Sequence, residues 1–496
     1  MIEIPARIGE KARAGQRWLS PLVHLSNNLL SFIGVLLTTT GGVSWLFVLP
    51  LQWKGTEVNP YIGILSFLTL PAMFFLGLIL VPLGIYFRLR SERRRGVYPE
   101  TFPPLRWSNS GFRRLVTFIG VATGANVVIG GHFTYSAVNY MDTVSFCGQT
   151  CHTVMRPEFA AYQNSPHSRV ECVKCHIGPG ASWFVRSKLS GVGQVFAVTF
   201  NTYDRPIPTP IRDLRPARET CETCHWPQKY GGDRLRILTR FADDEANSAT
   251  RTVLLMHVGG GNLPGVKDSG IHGVHLGPGV VIEYAHSDSS RQTIPWVRYS
   301  DATGRATVYL ASGADSQAAD RMPRRVMDCM DCHNRPTHAF ETPEGAVDGA
   351  LGVREISPTL PFAKKQSVEL VKKAYASRQE AVAIPAAFET YYKDNYPDLY
   401  RQRQAEVARS ARTVFAIFDR NVFPEMKVNW GTYPNNIGHT DFPGCFRCHD
   451  DQHSSADGKK ITQDCNSCHN LVAVEEAAPK ILTDLGILSP ESPPQH

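Results

Sequence analysis

The sequence predicts a membrane α-helical anchor of three transmembrane helices, joined to a large irregular domain packed around covalently attached groups. That domain is expected to hold some β-strands and a helical C-terminal part. Three observations predict this. Three long apolar runs precede residue 140, all 12 cysteines lie beyond residue 146, and every cysteine belongs to a pair closed by a histidine.

The runs Leu29–Leu51 and Tyr61–Phe87 contain no charge, and each exceeds the ~20 residues a spanning helix needs. The third run, Leu115 to Tyr135, carries Asn126 and His132 but no charge at neutral pH, and a buried soluble helix is its alternative. Arg7, Lys11, Arg13 and Arg17 precede the first run, and eight arginines from Arg88 to Arg114 separate the second from the third. Between the first two runs lie only Lys54 and Glu57. The positive-inside bias therefore places the N-terminus and the arginine-rich loop in the cytoplasm, and the third helix leads outward. The first run is too long for a signal peptide's apolar region and no A-x-A-like cleavage pattern follows it, so it reads as retained. Residues 1–114 hold 13 Lys/Arg against 5 Asp/Glu, or +8 of a chain total of +7. The basic balance is thus an orientation signal and gives no support to a nucleic-acid partner.

The cysteines carry the chemistry. Five pairs read C-x-x-C-H: Cys172/Cys175/His176, Cys221/Cys224/His225, Cys329/Cys332/His333, Cys445/Cys448/His449 and Cys465/Cys468/His469. The first, Cys147/Cys151/His152 in CGQTCHTVM, has three intervening residues. C-x-x-C-H attaches a c-type haem, with two thiols on the porphyrin vinyls and the histidine on the iron. Disulfides would explain the even count but not the histidines, and zinc knuckles need no adjacent histidine. The reading is a multihaem cytochrome c with six c-type haems. Because such attachment happens outside the cytoplasm, the expected location is the bacterial cytoplasmic membrane, multi-pass, with a periplasmic haem domain.

The expected organisation follows. Residues 1–114 hold two transmembrane helices and the arginine-rich loop, and 115–140 the third helix. A haem core with motifs one to three occupies 141–234. Residues 235–345 form a β-containing region with motif four, where 235–241, 252–258, 280–286 and 306–311 read as strands. Residues 346–430 form a helical scaffold, since 361–420 alternates apolar and charged residues at helical spacing. A C-terminal dihaem module spans 431–496.

Bis-histidine haems need further ligands, and eleven of the 17 histidines lie outside the motifs. His24 and His496 are poorly placed. His167, His338, His439 and His453 are favoured by proximity to motifs. His257, His272 and His275 compete for the remainder, with His286 and His132 behind. Spacing does not reveal which distal histidine serves which iron.

The stretch FCGQTCHTVMRPEFAAYQNSPHSRVECVKCHIGPGASWFVRSKLSG, residues 146–191, resembles the core of the NapC/NirT family of membrane-anchored, quinol-oxidising cytochromes c. The resemblance covers 115–230. The two earlier helices and the part beyond 235 resemble longer relatives more loosely, since the basic pattern has one helix and four haems. It implies a first haem at the membrane surface whose iron is ligated by a following methionine, here Met155, in place of His152. Met155 as packing, with His152 as ligand, stays open. Met ligation raises a haem's potential, which suits electron entry from quinol. The resemblance also implies a lysine beside the second haem and the quinol pocket, here Lys188, whose ammonium would handle protons. A Lys snorkelling at the bilayer surface is the alternative. Asp142 and Glu158 are further proton acceptors to consider.

The expected function is a membrane-bound quinol dehydrogenase, taking menaquinol or another quinol from the quinone pool and passing electrons to a periplasmic cytochrome or reductase. The alternative is an electron-transfer subunit of a larger respiratory or photosynthetic membrane complex without its own quinol site. A homo-oligomer is compatible with either. A third reading, a terminal reductase of a small oxyanion at an open iron position, is opposed by the surplus of histidines.

Overall fold

The computed structural model describes residues 21–52 except 23 and 27, residues 69–99, and within 117–141 residues 117, 120–121, 124–125, 128–129, 131–132, 135–136 and 139–141. It further describes 142–488 except 151, 179–180, 212–213, 227–230 and 261–269. The chain divides into two units, Met1–Phe146 and Cys147–His496.

In the first unit two helices pack together, Leu29–Gln52 and Leu70–Arg95. Small residues bring their backbones close, as they do where apolar side chains gain nothing by avoiding lipid. A Cβ on Gly77 would run into Thr38 Oγ1, and one on Gly84 into Ser31 Oγ. The Ser31 hydroxyl donates to the Val81 carbonyl at 3.1 Å. Leu70–Arg95 ends on Arg93, Arg94 and Arg95, which oppose the negative end of the helix dipole. It stops at Gly96, whose φ of +69° is left-handed. Among the described residues it is the helix long and apolar enough to cross a membrane. The first expected span forms the helix Leu29–Gln52, while the described residues of 117–141 are helical. The remainder of the third expected span lies outside the described residues.

The second unit mixes short helices, two sheets and irregular chain. Strands β1 (Arg234–Phe241), β2 (Ala249–Met256) and β8 (His469–Glu476) form one antiparallel sheet in the order β1-β2-β8. The second sheet holds β3 (Val281–Ala285), β4 (Trp296–Ser300), β5 (Ala306–Leu310), β6 (Arg324–Val326) and β7 (Ser454–Ser455), in the order β6-β3-β4-β5-β7. The four strands expected from sequence form as β1, β2, β3 and β5. The sequence reading did not find β4, β6, β7 or β8. Both sheets recruit a strand from beyond residue 450, with Met256 opposite His469 and Leu310 opposite Ser454. The C-terminal pair of motifs is therefore stitched onto the β-region.

The helices Pro343–Gly352, Ala363–Lys372, Ile384–Asn395 and Pro397–Asn421 enclose a core of fully buried Val347, Phe388, Tyr392, Val407, Val414 and Ile417. This agrees with the helical spacing. Asn247, in the turn between β1 and β2, donates to the carbonyls of Pro358 and Leu360 at 2.9 and 2.8 Å and accepts from the Lys364 amide at 2.8 Å. The hairpin and the helical core are thereby one packed body.

Candidate haem sites

The second, fourth, fifth and sixth motifs sit on short helical turns, where positions three and four apart share one side, and the third begins at the last residue of the helix Ala217–Cys221. Cys172–His176 and Cys329–Cys332 are α-helical, while Gly444–Arg447 and Cys465–Ser467 are 3₁₀ turns. The fourth is fixed by a capping box, with Asp328 accepting from the Met330 amide at 2.8 Å and Asp331 accepting from the Asp328 amide at 2.7 Å. The first motif differs in kind. Phe146–Thr150 is a π-helical turn, continued by the helix His152–Gln163. A π-turn accommodates one residue more than an α-turn. Cys147 of the widened motif therefore lies in a turn wider than those of the other motifs.

The second histidines arrive from elsewhere in the chain. His176 faces His338 with ring centres 6.2 Å apart, and His225 faces His167 at 5.9 Å. His333 faces His272 at 6.2 Å, His449 faces His275 at 5.8 Å, and His469 faces His439 at 6.1 Å. Two imidazole nitrogens about 2.0–2.1 Å either side of a metal, with roughly 1.1 Å more to each ring centre, require roughly 6.2 Å. The five gaps therefore fit a bis-histidine iron.

The tautomers fit as well. The Nδ1 of His167, His272, His275 and His338 hydrogen-bonds main-chain carbonyls of Pro336, Gly259, Ile271 and Glu158 at 3.2, 3.2, 2.8 and 2.9 Å. His449 Nδ1 does the same with Thr462 at 2.8 Å. An N–H so placed leaves Nε2 with its lone pair for a metal. Burial pushes the His275 and His338 imidazoles below their ordinary pKa, which keeps them neutral ligands. Burial likewise pushes the Cys332 and Cys448 thiols up, to about 11 and about 12.

Consecutive motifs are neighbours. The Cys147 thiol lies near that of Cys172, and the Cys221 thiol near that of Cys329. Cys175 lies beside Cys224, Cys332 beside Cys445, and Cys445 beside Cys468.

Of the favoured distal histidines, His167 faces the third motif although it precedes the second. His338 faces the second although it follows the fourth, and His439 faces the sixth although it precedes the fifth. His453 departs from expectation. It is buried, with Nδ1 2.9 Å from Asp450 Oδ1 and Nε2 2.7 Å from the Ile294 carbonyl. Both nitrogens serve the protein, so neither is directed to an iron. His257 Nδ1 lies 2.9 Å from Asp233, and the His257 amide donates to the Cys468 carbonyl at 2.9 Å, beside the sixth motif. His286 Nδ1 bonds the Asp288 carbonyl at 2.8 Å, next to Tyr284. His132 is exposed in the first unit.

Met155 is half-buried on the helix that begins at His152. Lys188 lies on the helix Ala181–Thr199, and its side chain, like those of Cys151 and His152, lies outside the described residues. Asp142 is half-buried in the first unit. Sequence reasoning missed the ionic shell around the second and fourth motifs. Glu158 pairs with Arg335 at 3.0 Å, and Asp331 with Arg325 at 2.8 Å. The available signal was a charged residue inside C-M-D-C-H and an arginine between two histidines.

Residues 108–207 match the NapC/NirT cytochrome c family, N-terminal region. Over 452 residues the chain is 40% identical to the cytochrome c-type protein ImcH of Geobacter sulfurreducens, covering 90% of this chain and 88% of that protein. No solved structure matches.

Proposed function

Because this chain belongs to the NapC/NirT-type multihaem cytochromes c, which are electron-transfer proteins, we propose that it oxidises quinol at the outer face of the bacterial cytoplasmic membrane. In this reading it holds six c-type haems and delivers electrons to a periplasmic cytochrome or reductase. The observation that carries it is the set of five histidine pairs, each opposite a motif, with gaps of 5.8 to 6.2 Å. Covalent haem at the motifs would supply the one-electron chemistry that relays the two electrons of a quinol.

The residues have distinct tasks. His176/His338, His225/His167, His333/His272, His449/His275 and His469/His439 hold the second to sixth haems. Met155 or His152 serves the first, on a turn rebuilt around Cys147 and Cys151. The chain-order contacts of the cysteines support a path that runs from the first motif to the sixth. Lys188, on a helix twelve residues after His176, receives a quinol proton, and Asp142 is the second acceptor. Leu70–Arg95 supports membrane anchoring. The multi-pass topology with a cytoplasmic N-terminus rests on the distribution of arginines.

The test is anaerobic mixing of the purified protein with a menaquinol analogue, following the reduced c-haem α-band. Fast reduction that is lost in Lys188→Ala, with haem content intact, supports the reading. Reduction by dithionite but not by quinol sinks it and leaves an electron-transfer subunit fed by another protein.

A further inference from the structure

The second motif has an ionic neighbour that its electron-transfer role does not by itself require. Glu158 lies one and a half turns into the helix His152–Gln163, and its side chain is only 13% exposed. Both its carboxylate oxygens accept from Arg335 Nη2, at 3.0 and 3.1 Å. The same carboxylate stands 3.2 Å from Nδ1 of His338, while the Glu158 carbonyl accepts at that nitrogen at 2.9 Å. Arg335 is held in turn, with its side chain 6% exposed. Its guanidinium lies 4.2 Å over the Tyr433 ring, and its Nε donates to the His338 carbonyl at 2.5 Å. The Tyr433 hydroxyl donates to the Ile207 carbonyl at 3.0 Å.

The Nδ1 atoms of His167, His272 and His275 meet neutral carbonyls; that of His338 also meets a full negative charge. A carboxylate on a ligand histidine's far nitrogen strengthens the ligand and orients it. In a poorly solvated site it also favours the more positive, oxidised state of the metal. Arg335 opposes that field while fixing the carboxylate in place. We propose that Glu158 is a positioning residue that holds the redox potential of the second haem low, with Arg335 as the counter-charge that sets how low. The inference rests on the pairing of His176 with His338 given above. It places the tuner of the second haem on the helix that also carries His152 and Met155. A haem held low stays oxidised while its neighbours fill.

The experiment is a spectroelectrochemical titration of the full-length holoprotein at the c-haem α-band, with low-temperature electron paramagnetic resonance on the same samples. Glu158→Gln shifts one component of the titration upward and leaves the others in place; Glu158→Asp retains most of the wild-type value. Arg335→Gln shifts the same component downward. Superimposable titrations of wild type and Glu158→Gln at equal haem content would overturn the proposal. So would shifts of one sign in both charge variants, which is what general loosening produces. If Glu158→Gln does not mature, Glu158→Asp and Arg335→Gln decide between the same outcomes. His338→Met is the control for the pairing. A single altered low-spin signal upholds it, whereas an unchanged spectrum sinks the pairing itself, separately from the role of Glu158.

Discussion

The guanidinium of Arg447 donates to the main-chain carbonyl of Asp331 at 2.6 Å. Each residue is the last of the two between the cysteines of its motif, Arg447 in CFRCH and Asp331 in CMDCH. The side chain of one motif thus braces the backbone of the next. Arg447 also donates to the Gly444 and Arg291 carbonyls at 2.8 and 2.9 Å. The Asp331 carboxylate accepts from Tyr284 at 2.6 Å and from Arg325 at 2.8 Å. This one shell spaces the fourth and fifth motifs.

Arg447→Ala is therefore expected to destabilise the second unit by about 1.5–3 kcal/mol, the scale of a hydrogen bond to a charged group. Thermal unfolding of the holoprotein followed by circular dichroism measures it. Haem content, read by pyridine haemochrome, stays unchanged, because neither attaching cysteine is touched. An unchanged melting temperature would show the brace to be dispensable.

His272 and His275 lie on one seven-residue helix, Gly270–Leu276, and face different motifs. His272→Met and His275→Met are each expected to alter one low-spin resonance signal, and not the same one. Val274→Pro, at an exposed position between them, removes a helix N–H and costs roughly 3 kcal/mol. It should perturb both signals together. If it moves only one, the two ligands are held independently.

In the helical scaffold, buried Lys364 lies 2.5 Å from Asp348 and donates to the Glu344 carbonyl at 2.9 Å. Burial raises the Asp348 carboxyl pKa even with the lysine beside it. Lys364→Met leaves that carboxylate without its cation and should cost about 3–5 kcal/mol. The double variant Lys364→Met/Asp348→Leu is expected to recover most of the loss. Denaturant titration of both variants checks this, and equal destabilisation of the two would contradict it.

Glu406 is held down at about 2 by its hydrogen bond to Arg403. The two contacts measure 2.7 and 2.8 Å, at the point where the helix Pro397–Asn421 kinks. A carboxyl depressed on folding contributes stability above its ordinary value of 4.5 and loses it as pH falls towards about 2. The melting-temperature difference between wild type and Glu406→Gln should therefore be full above pH 4.5 and shrink steadily below it. A difference constant down to pH 2 would count against the linkage.

How much of this was legible in the residues depends on the distance over which each feature is built. Attachment is local: two thiols and a proximal histidine must reach one group together, so they are contiguous in sequence. All six motifs could be read for that reason. The strands β1, β2, β3 and β5 and the scaffold helices were legible through their periodicity. The strand β8 was not, because HNLVAVEE gains its identity from pairing with β2, and Met256 meets His469 only in the folded chain.

Distal ligation is not local. A second histidine needs only to bring its ring centre about 6 Å from the first with its Nε2 facing the gap, and any segment the fold brings there will serve. Proximity in sequence therefore marked His338 and His439 as candidates without saying which iron each would serve, whereas the fold sets them opposite His176 and His469. It also favoured His453, whose two nitrogens are consumed by Asp450 and Ile294. The sequence by itself determined where the cysteine–histidine motifs lie and which residues are apolar enough for a membrane, because both are set by contiguous residues or composition. Only the tertiary structure decided which histidine faces which motif and which charges stand behind them, because those contacts join segments remote in the chain and depend on how it crosses itself.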